Sequence, residues 1–403
     1  MSKVFAKIPE AIEAIARGEM IILVDDESRE NEGDLVCAAE HATPEAINFM
    51  AKEGRGLICL SMTGDALDRL EVPLMPKKNK SKLGTAFTLS IEASQGVTTG
   101  ISAADRAHTV KVAIDESSKP EDLVAPGHIF PLRAQKGGVL VRPGQTEGSV
   151  DFARLAGLNP SAVICEIMND DGTMSRVPDL ELFAKKHNLL MVSVNDLIAH
   201  RIATEVLIEE VSESTMPLEN LGEFTVKVFK GVWDNAEHLA FIKTPMDANK
   251  PVLVRLHSEC LTGDTFGSMR CDCGPQRKEA LRQIAVDGGV LLYMRQEGRG
   301  IGLGNKIKAY ALQDTGLDTV EANHQLGFQD DHRHYGMSAQ MLKMLGLDSI
   351  RLLTNNPRKV AELESYGIGR VERIPLEIAP TKHNARYLKA KAQKLGHMLV
   401  SMS

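Results

Sequence analysis

No stretch of this sequence approaches the roughly 18 apolar residues in a row that a membrane-spanning helix needs, so no membrane span is expected. The opening "MSKVFAKIPEAIEAIARGE" meets a charge or a proline every few residues and lacks the unbroken apolar core of a secretory signal. A cytoplasmic location is the expectation. An excess of basic charge is missing too: residues 1–200 hold 21 basic and 29 acidic side chains, and residues 201–403 hold 26 and 25. Neither half is basic enough for bulk nucleic-acid binding, and their different balance suggests two units with different ligands. Internal repeats and low-complexity segments are absent. What remains is ordinary for a soluble globular protein, with 43% hydrophobic and 25% charged residues over 403 positions, enough for two or three domains.

Cysteines are few, six in all, yet Cys260, Cys271 and Cys273 fall within fourteen positions, in "RLHSECLTGDTFGSMRCDCGPQ". In a reducing compartment such a cluster reads as metal ligands rather than as a disulfide framework. Cys37, Cys59 and Cys165 lie in apolar runs and read as packed thiols.

The chain reads as two unlike domains, 1–204 and 205–403. The boundary is drawn near residues 205–222, where "EVLIEEVSESTMPLENLG" mixes acids, serines and a proline after the apparent helix "VNDLIAHRIA". In the second domain "PVLVRL" and "GGVLLYM" are short apolar β-type runs, each leading into a polar loop and a helical pattern. "DSIRLLTNNPRKVAELESYG" repeats that order, with Pro357 suited to a first helical turn and Gly367 to the end. Strand, loop, helix, three times over, predicts an α/β domain with ligands at the strand ends. The first domain mixes strand and helix signals without regular alternation and is expected to be α+β.

Three cysteines suit a catalytic zinc site, which takes three protein ligands and leaves one position open; His257 could instead close a Cys3His structural site. Two neighbouring features favour chemistry. "CDCGPQRKEALRQIAVDGG" begins a helix, whose N-terminus favours anions. The next strand runs into "RQEGRGIGLGN", where Gly298, Gly300, Gly302 and Gly304 alternate with Arg295 and Arg299 and Lys306 and Lys308 follow just beyond, a loop able to let backbone and cationic groups clasp a polyphosphate. It is not a P-loop, because the lysine followed by serine or threonine is missing. "ANHQLGFQDDHRHYG" adds a dense set of acids and histidines suited to acid–base work or to a solvated loop. Zinc can lower the pKa of bound water to about 7, so metal-assisted hydrolysis of a nucleotide is the chemistry these parts share.

These motifs, with "RLLTNNPRKV", resemble GTP cyclohydrolase II across residues 206–403, in the right order. The resemblance implies opening of the GTP imidazole ring with release of formate and pyrophosphate, giving a diaminopyrimidine precursor of riboflavin. It implies zinc on Cys260, Cys271 and Cys273 with the attacking water in the fourth position. The implied GTP-binding set is Arg255, Leu256, His257, Ser258, Glu259, Gln276, Glu297, Gly298, Arg299, Thr319, Thr354 and Lys359. Asp331 would accept a proton and Arg333 act as nucleophile toward the α-phosphate, or stabilise charge, since its pKa above about 12 makes a free guanidine hard to generate. Tyr310 would assist.

In the first domain "DDESRENEGD" crowds six carboxylates and one arginine into ten positions after the apolar "MIILV". This is a hydrated loop or a Mg²⁺ site, that ion preferring oxygen ligands shared with a phosphate. Together with "GTAFTLSIEA", "TTGISAADR", "PGHIFPL", "RPGQTEGSVD" and "CEIMNDDG", it resembles 3,4-dihydroxy-2-butanone 4-phosphate synthase over residues 3 to about 200. The resemblance implies Mg²⁺- or Mn²⁺-dependent conversion of ribulose 5-phosphate to that product and formate. It makes Glu30 a metal ligand, Arg29, Glu30, Asp34, Arg142, Pro143, Gly144, Gln145, Thr146 and Glu166 the sugar-phosphate contacts, and His128 and Glu166 the catalytic groups. One departure stands out: the family's R-x-G-H-T motif, whose histidine is the second metal ligand, reads "RPGQT" here. The amide oxygen of Gln145 is a hard, neutral donor for Mg²⁺. The leading expectation is therefore a bifunctional enzyme with zinc in one domain and Mg²⁺ or Mn²⁺ in the other, Mg²⁺ also accompanying GTP, and with a homodimer implied by both families. The alternatives are a GTP cyclohydrolase II whose synthase domain is impaired at Gln145, and a zinc-stapled nucleotide-binding regulator without turnover.

Overall fold

The apolar runs around residues 21–24 and 33–38 become the buried middle of a seven-stranded sheet in a computed structural model of the chain. The structure describes residues 5–27, 29–75, 79, 83–232, 235–246, 250–326, 335–394 and 396–399. Contacts divide the chain into two units, Met1–Arg201 and Ile202–Ser403.

The first unit's strands are β1 (Ile21–Val24), β2 (Gly33–Ala38), β3 (Cys59–Thr63), β4 (Ile91–Ala93), β5 (Leu123–Ala134), β6 (Ser161–Glu166) and β7 (Leu190–Ser193), in the order β4-β5-β3-β6-β2-β1-β7. Parallel pairs (β1 with β7, β3 with β5) mix with antiparallel ones, as an α+β domain without regular alternation would have them. Every residue of β1 and β2 is buried, so both faces of these strands are covered and their sequences run apolar without alternation. Cys37, Cys59 and Cys165 are buried in this sheet, and burial pushes the Cys37 and Cys165 thiols up to about 12. They are inert packing groups.

One helix of this unit breaks the usual pattern. Gln145–Leu155 is buried over most of its length although it carries Gln145, Thr146, Glu147, Ser149 and Asp151. Buried charges need partners. Glu147 has Arg142 at 2.6 Å, and Asp151 has Arg201 at 2.7 Å together with the Val139 N–H at 2.9 Å.

The second unit's strands are β8 (Ile208–Leu218), β9 (Gly222–Gly231), β10 (Glu237–Lys243), β11 (Val252–Ser258), β12 (Gly289–Met294), β13 (Ser349–Leu353) and β14 (Arg370–Ile374), ordered β14-β13-β11-β12-β10-β9-β8. β14, β13, β11 and β12 are mutually parallel, and the rest are antiparallel. The expected strand–loop–helix units are all present. β11 leads to the helix Cys273–Asp287, β12 to Gly302–Asp314, and β13 to Pro357–Ser365, which Asn356 caps by accepting the Arg358 N–H at 3.0 Å. The chain leaves β11 toward β12 on one side and leaves β13 toward β14 on the other. The C-terminal ends of β11 and β13 therefore flank a topological switch point, where open α/β sheets form binding crevices.

The boundary segment around 205–222 holds an eleven-residue strand, Ile208–Leu218. β8 is an edge strand exposed over nearly its whole length, so its composition is polar on both faces, and Lys227 of β9 meets Glu210 and Glu213 across the hairpin at 2.9 Å each. Charge on an edge strand guards against unwanted pairing and resembles linker composition in sequence.

Candidate functional site

The second unit gathers its functional groups at the switch point. Arg255, near the end of β11, donates to the Leu353 carbonyl at 2.7 Å and to Gln276 Oε1 at 2.6 Å, tying β13 and the helix Cys273–Asp287 to one guanidinium. Cys260 follows β11, and Cys271 and Cys273 precede and open the helix. Their three sulfurs lie within 4.8 Å of one another, with Cys260 and Cys271 3.6 Å apart, and they form the one group of potential metal ligands found among the described residues. Gly263 makes this approach possible, because a Cβ there would meet the Cys260 and Cys271 sulfurs at 3.0 Å.

His257 is not a member of that group. Its Nε2 sits 3.0 Å from both oxygens of Asp264, its ring stacks on Tyr293, and burial holds its pKa below the ordinary value. Asp264 also accepts the Cys260 N–H and the Tyr293 hydroxyl, each at 3.0 Å. The reading in which His257 closes a four-ligand site is thereby overturned: Asp264 takes the imidazole and fixes the backbone of the first cysteine. Three thiolate donors on a divalent ion with a fourth position left for a small ligand is the donor set of a reactive zinc site.

Around the sulfurs a cavity is lined by Arg255, His257, Ser258, Glu259, Gln276, Glu297, Gly298, Arg299, Thr319, Thr354, Lys359 and Tyr310. Leu256 is the exception in the expected binding set. Strand alternation turns its side chain into the core, while its carbonyl accepts from Lys359 Nζ at 2.8 Å. The glycine loop bends sharply, Gly298 and Arg299 both having φ of +62°, and a left-handed arginine is strain of the kind binding loops store. Asp331 and Arg333 lie outside the described residues.

Several lining groups escaped the sequence reading. Asp272, between two cysteines, is bonded by Gln276 Nε2 at 2.7 Å and by Lys391 Nζ at 2.8 Å, and Tyr387 lies beneath Lys391. Lys306, expected beside the glycine loop as a phosphate group, instead reaches Cys260, Thr262 and Glu297. A stray carboxylate inside "CDC" was the available signal for Asp272. Lys391 offered none, because it acts from more than a hundred residues away.

The first unit assembles a different kind of site. Asp34 and Glu166 are cross-strand partners on β2 and β6. Glu166 accepts the Leu57 N–H at 2.8 Å, and His128 stands two residues before Phe130, the β5 partner of Cys59. The register thus carries His128, Glu166 and Asp34 in one row across the sheet. Burial first, then the charges of Glu166, Glu30, Asp25 and Glu32, hold the Asp34 carboxyl well above its usual range. Above the row, one nitrogen of Arg29 contacts Asp25 at 2.7 Å and both Glu30 Oε2 and Gln145 Oε1 at 3.0 Å. The two expected metal-binding oxygens therefore converge on one cation, and two oxygen donors suit a hard divalent ion. A Cβ at Gly144 would strike Arg29 and Arg142, which places these expected sugar-phosphate contacts side by side. Thr146 is buried on the same helix as Gln145, and Pro143 precedes it. Glu92 was missed: its Oε2 lies 2.6 Å from His128 Nδ1, and Gly100, at φ +87°, leaves room for the pair. A lone acid in the apolar run "FTLSIEA" was its signal.

Comparison with known proteins resolves what the two sites belong to. The family model of 3,4-dihydroxy-2-butanone 4-phosphate synthase matches residues 9–200, and that of GTP cyclohydrolase II matches residues 209–375. The riboflavin biosynthesis protein RibBA of Aquifex aeolicus is 54% identical over 398 residues, covering 98% of both chains. The chain belongs to the RibBA family. The RibBA protein of Bacillus subtilis is likewise 54% identical, over 98% of this chain and 99% of its own. Among solved structures, RibBX of A. baumannii, a two-domain 3,4-dihydroxy-2-butanone 4-phosphate synthase, is 38% identical with a TM-score of 0.69, covering 87% of this chain and 94% of that one. The protein is thus a two-domain α/β enzyme of riboflavin biosynthesis, joining a synthase (a lyase) to a GTP cyclohydrolase II (a hydrolase). The non-catalytic regulator has no support from these relatives. No helix among the described residues is long and apolar enough to cross a membrane.

Proposed function

We propose that residues 205–403 open the GTP imidazole ring at a zinc site held by Cys260, Cys271 and Cys273, and that residues 1–204 convert ribulose 5-phosphate at a Mg²⁺ or Mn²⁺ site held by Glu30 and Gln145. The products are 2,5-diamino-6-ribosylamino-pyrimidinone 5'-phosphate, formate and pyrophosphate from the first, and 3,4-dihydroxy-2-butanone 4-phosphate and formate from the second. The observation that carries the first assignment is the single cavity lined by the three cysteines, by Tyr310 and by all of the expected GTP set except Leu256.

Zinc, when bound, would supply Lewis acidity for hydrolysis. The chain's own residues do the rest. Arg299 and the Cys273–Asp287 helix N-terminus face the polyphosphate with positive potential. Thr354 and Lys359, beyond β13, meet the opposite end of the ligand, and Asp264 keeps His257 oriented beside it. Asp331 accepts a proton, and Arg333 meets the α-phosphate as nucleophile or as charge stabiliser. In the synthase Glu30 and Gln145 bind the ion, Arg29, Arg142 and Thr146 the sugar phosphate, and His128 and Glu166 move protons along the row that Asp34 completes. A homodimer follows from the resemblance, and a cytoplasmic location from the sequence.

The test is release of formate from each substrate separately, in zinc-replete protein with Mg²⁺. Both should yield it. Formate from neither rejects the proposal, and formate from GTP alone assigns the defect to the synthase site, where Gln145→His is the variant to try.

A further inference from the structure

Lys306, just beyond the glycine loop, is among the most deeply placed cations of the second unit. It lies in the first turns of the helix Gly302–Asp314 and is 8% exposed. Its Nζ lies 3.1 Å from Cys260 Sγ, 3.0 Å from Thr262 Oγ1 and 2.8 Å from Glu297 Oε1. An ammonium has three donors and no acceptor, so these contacts use all of them. A lysine lining a nucleotide cavity would ordinarily be read as a phosphate clamp. This one has no donor left for a phosphate.

Its acceptors point elsewhere. Glu297 anchors Lys306 while its other oxygen takes the Leu261 N–H at 2.7 Å, so the carboxylate is fixed by the backbone next to Cys260. Thr262 accepts from Lys306, and the ammonium lies 5.7 Å from the ring centroid of Tyr310, a residue expected to assist the reaction. The charged donor thus falls on Cys260 Sγ, one of the three sulfurs. Three thiolates on a divalent ion leave a centre of net charge −1, and a charge-assisted N–H···S bond draws electron density from the sulfur that accepts it. A metal whose thiolate ligand donates less is the stronger Lewis acid, which is how groups outside the ligand set tune a site.

We propose that Lys306 is a positioning residue of the cyclohydrolase site, holding Cys260 Sγ and withdrawing charge from that one metal ligand rather than binding substrate. This rests on the zinc reading above, and the test keeps the two separable. Full-length wild type, Lys306→Met and Lys306→Arg are loaded with Co²⁺ in place of zinc. Sulfur-to-cobalt charge-transfer absorption is then recorded beside kcat and KM for GTP, with circular dichroism to verify folding. In Lys306→Met the charge-transfer bands should move to longer wavelength, because the sulfur is richer in electrons. Its kcat should fall about tenfold or more while KM changes by less than about threefold, the effect typical of lost outer-shell partners. Lys306→Arg keeps the charge and should restore the band position in part, which also serves should the methionine variant not fold. Bands in a folded variant that match the wild type overturn the inference, as does a large rise in KM with kcat unchanged. Wild-type protein without any sulfur-to-cobalt bands would sink the zinc reading, and this inference with it.

Discussion

As proposed, the two sites of this chain solve the same problem, placing a divalent ion beside a sugar phosphate, with opposite chemistry. The second unit uses sulfur: three thiols from one stretch of sequence, brought within 4.8 Å by a loop that leaves β11 and a helix that leads to β12. The first uses oxygen: a carboxylate after β1 and an amide at the start of the helix Gln145–Leu155, more than a hundred residues apart, meeting at Arg29. A soft, self-contained site keeps its ligands whatever the rest of the fold does, while a hard site assembled across a sheet depends on register. The first unit should therefore be the more easily broken by changes away from its metal ligands.

A large effect on that side is expected at Glu92. Glu92→Gln removes the carboxylate beside His128 Nδ1 and should lower kcat for ribulose 5-phosphate by about 100-fold, within the range for lost outer-shell partners. GTP turnover in the same preparation should not change. On the sulfur side, Gly263→Ala drives a Cβ toward two sulfurs and should weaken zinc by about tenfold in a chelator competition, with Mn²⁺ binding at the first unit unaffected. Gln145→His should sharpen the contrast in the other direction. An imidazole in place of the amide is expected to tighten Mn²⁺ at the first unit by roughly tenfold, read by electron paramagnetic resonance titration, and to leave zinc content alone.

A smaller, energetic effect concerns Asp34. Its pKa is raised in the folded state, so it resists folding at pH values above its unfolded pKa of about 3.9 and ceases to do so below it. Asp34→Asn should accordingly stabilise the metal-free protein by about 1 kcal/mol at pH 7, seen as a higher urea midpoint, and the gap should close as the pH approaches 4. The same substitution should abolish the synthase reaction, a trade expected where like charges are gathered for function.

The difference between the sites also governed what could be read from the sequence. β11, β12, β13 and the helix Pro357–Ser365 were legible because each is a buried apolar run followed by its own loop and cap, and the cysteine cluster because its spacing is local. β8 was not, since an edge strand exposed on both faces has the composition of a linker. Asp264 and Lys391 were invisible as site residues because their meaning lies in partners that only the folded sheet supplies. His257 was ambiguous for the same reason. Its choice between a metal and Asp264 is a matter of a few ångströms that spacing alone does not encode. In the first unit, the row of His128, Glu166 and Asp34 follows from strand order, which a single sequence leaves open.

Two chemically independent sites in one chain are tested most directly by reciprocal inactivation. Cys271→Ser and Glu30→Gln, each verified as folded, are assayed for formate from GTP and from ribulose 5-phosphate. Cys271→Ser should lose zinc and the GTP reaction by about 1000-fold or more while keeping the other activity, and Glu30→Gln should do the reverse. Loss of both activities in either folded variant, or retention of GTP turnover without Cys271, would contradict it.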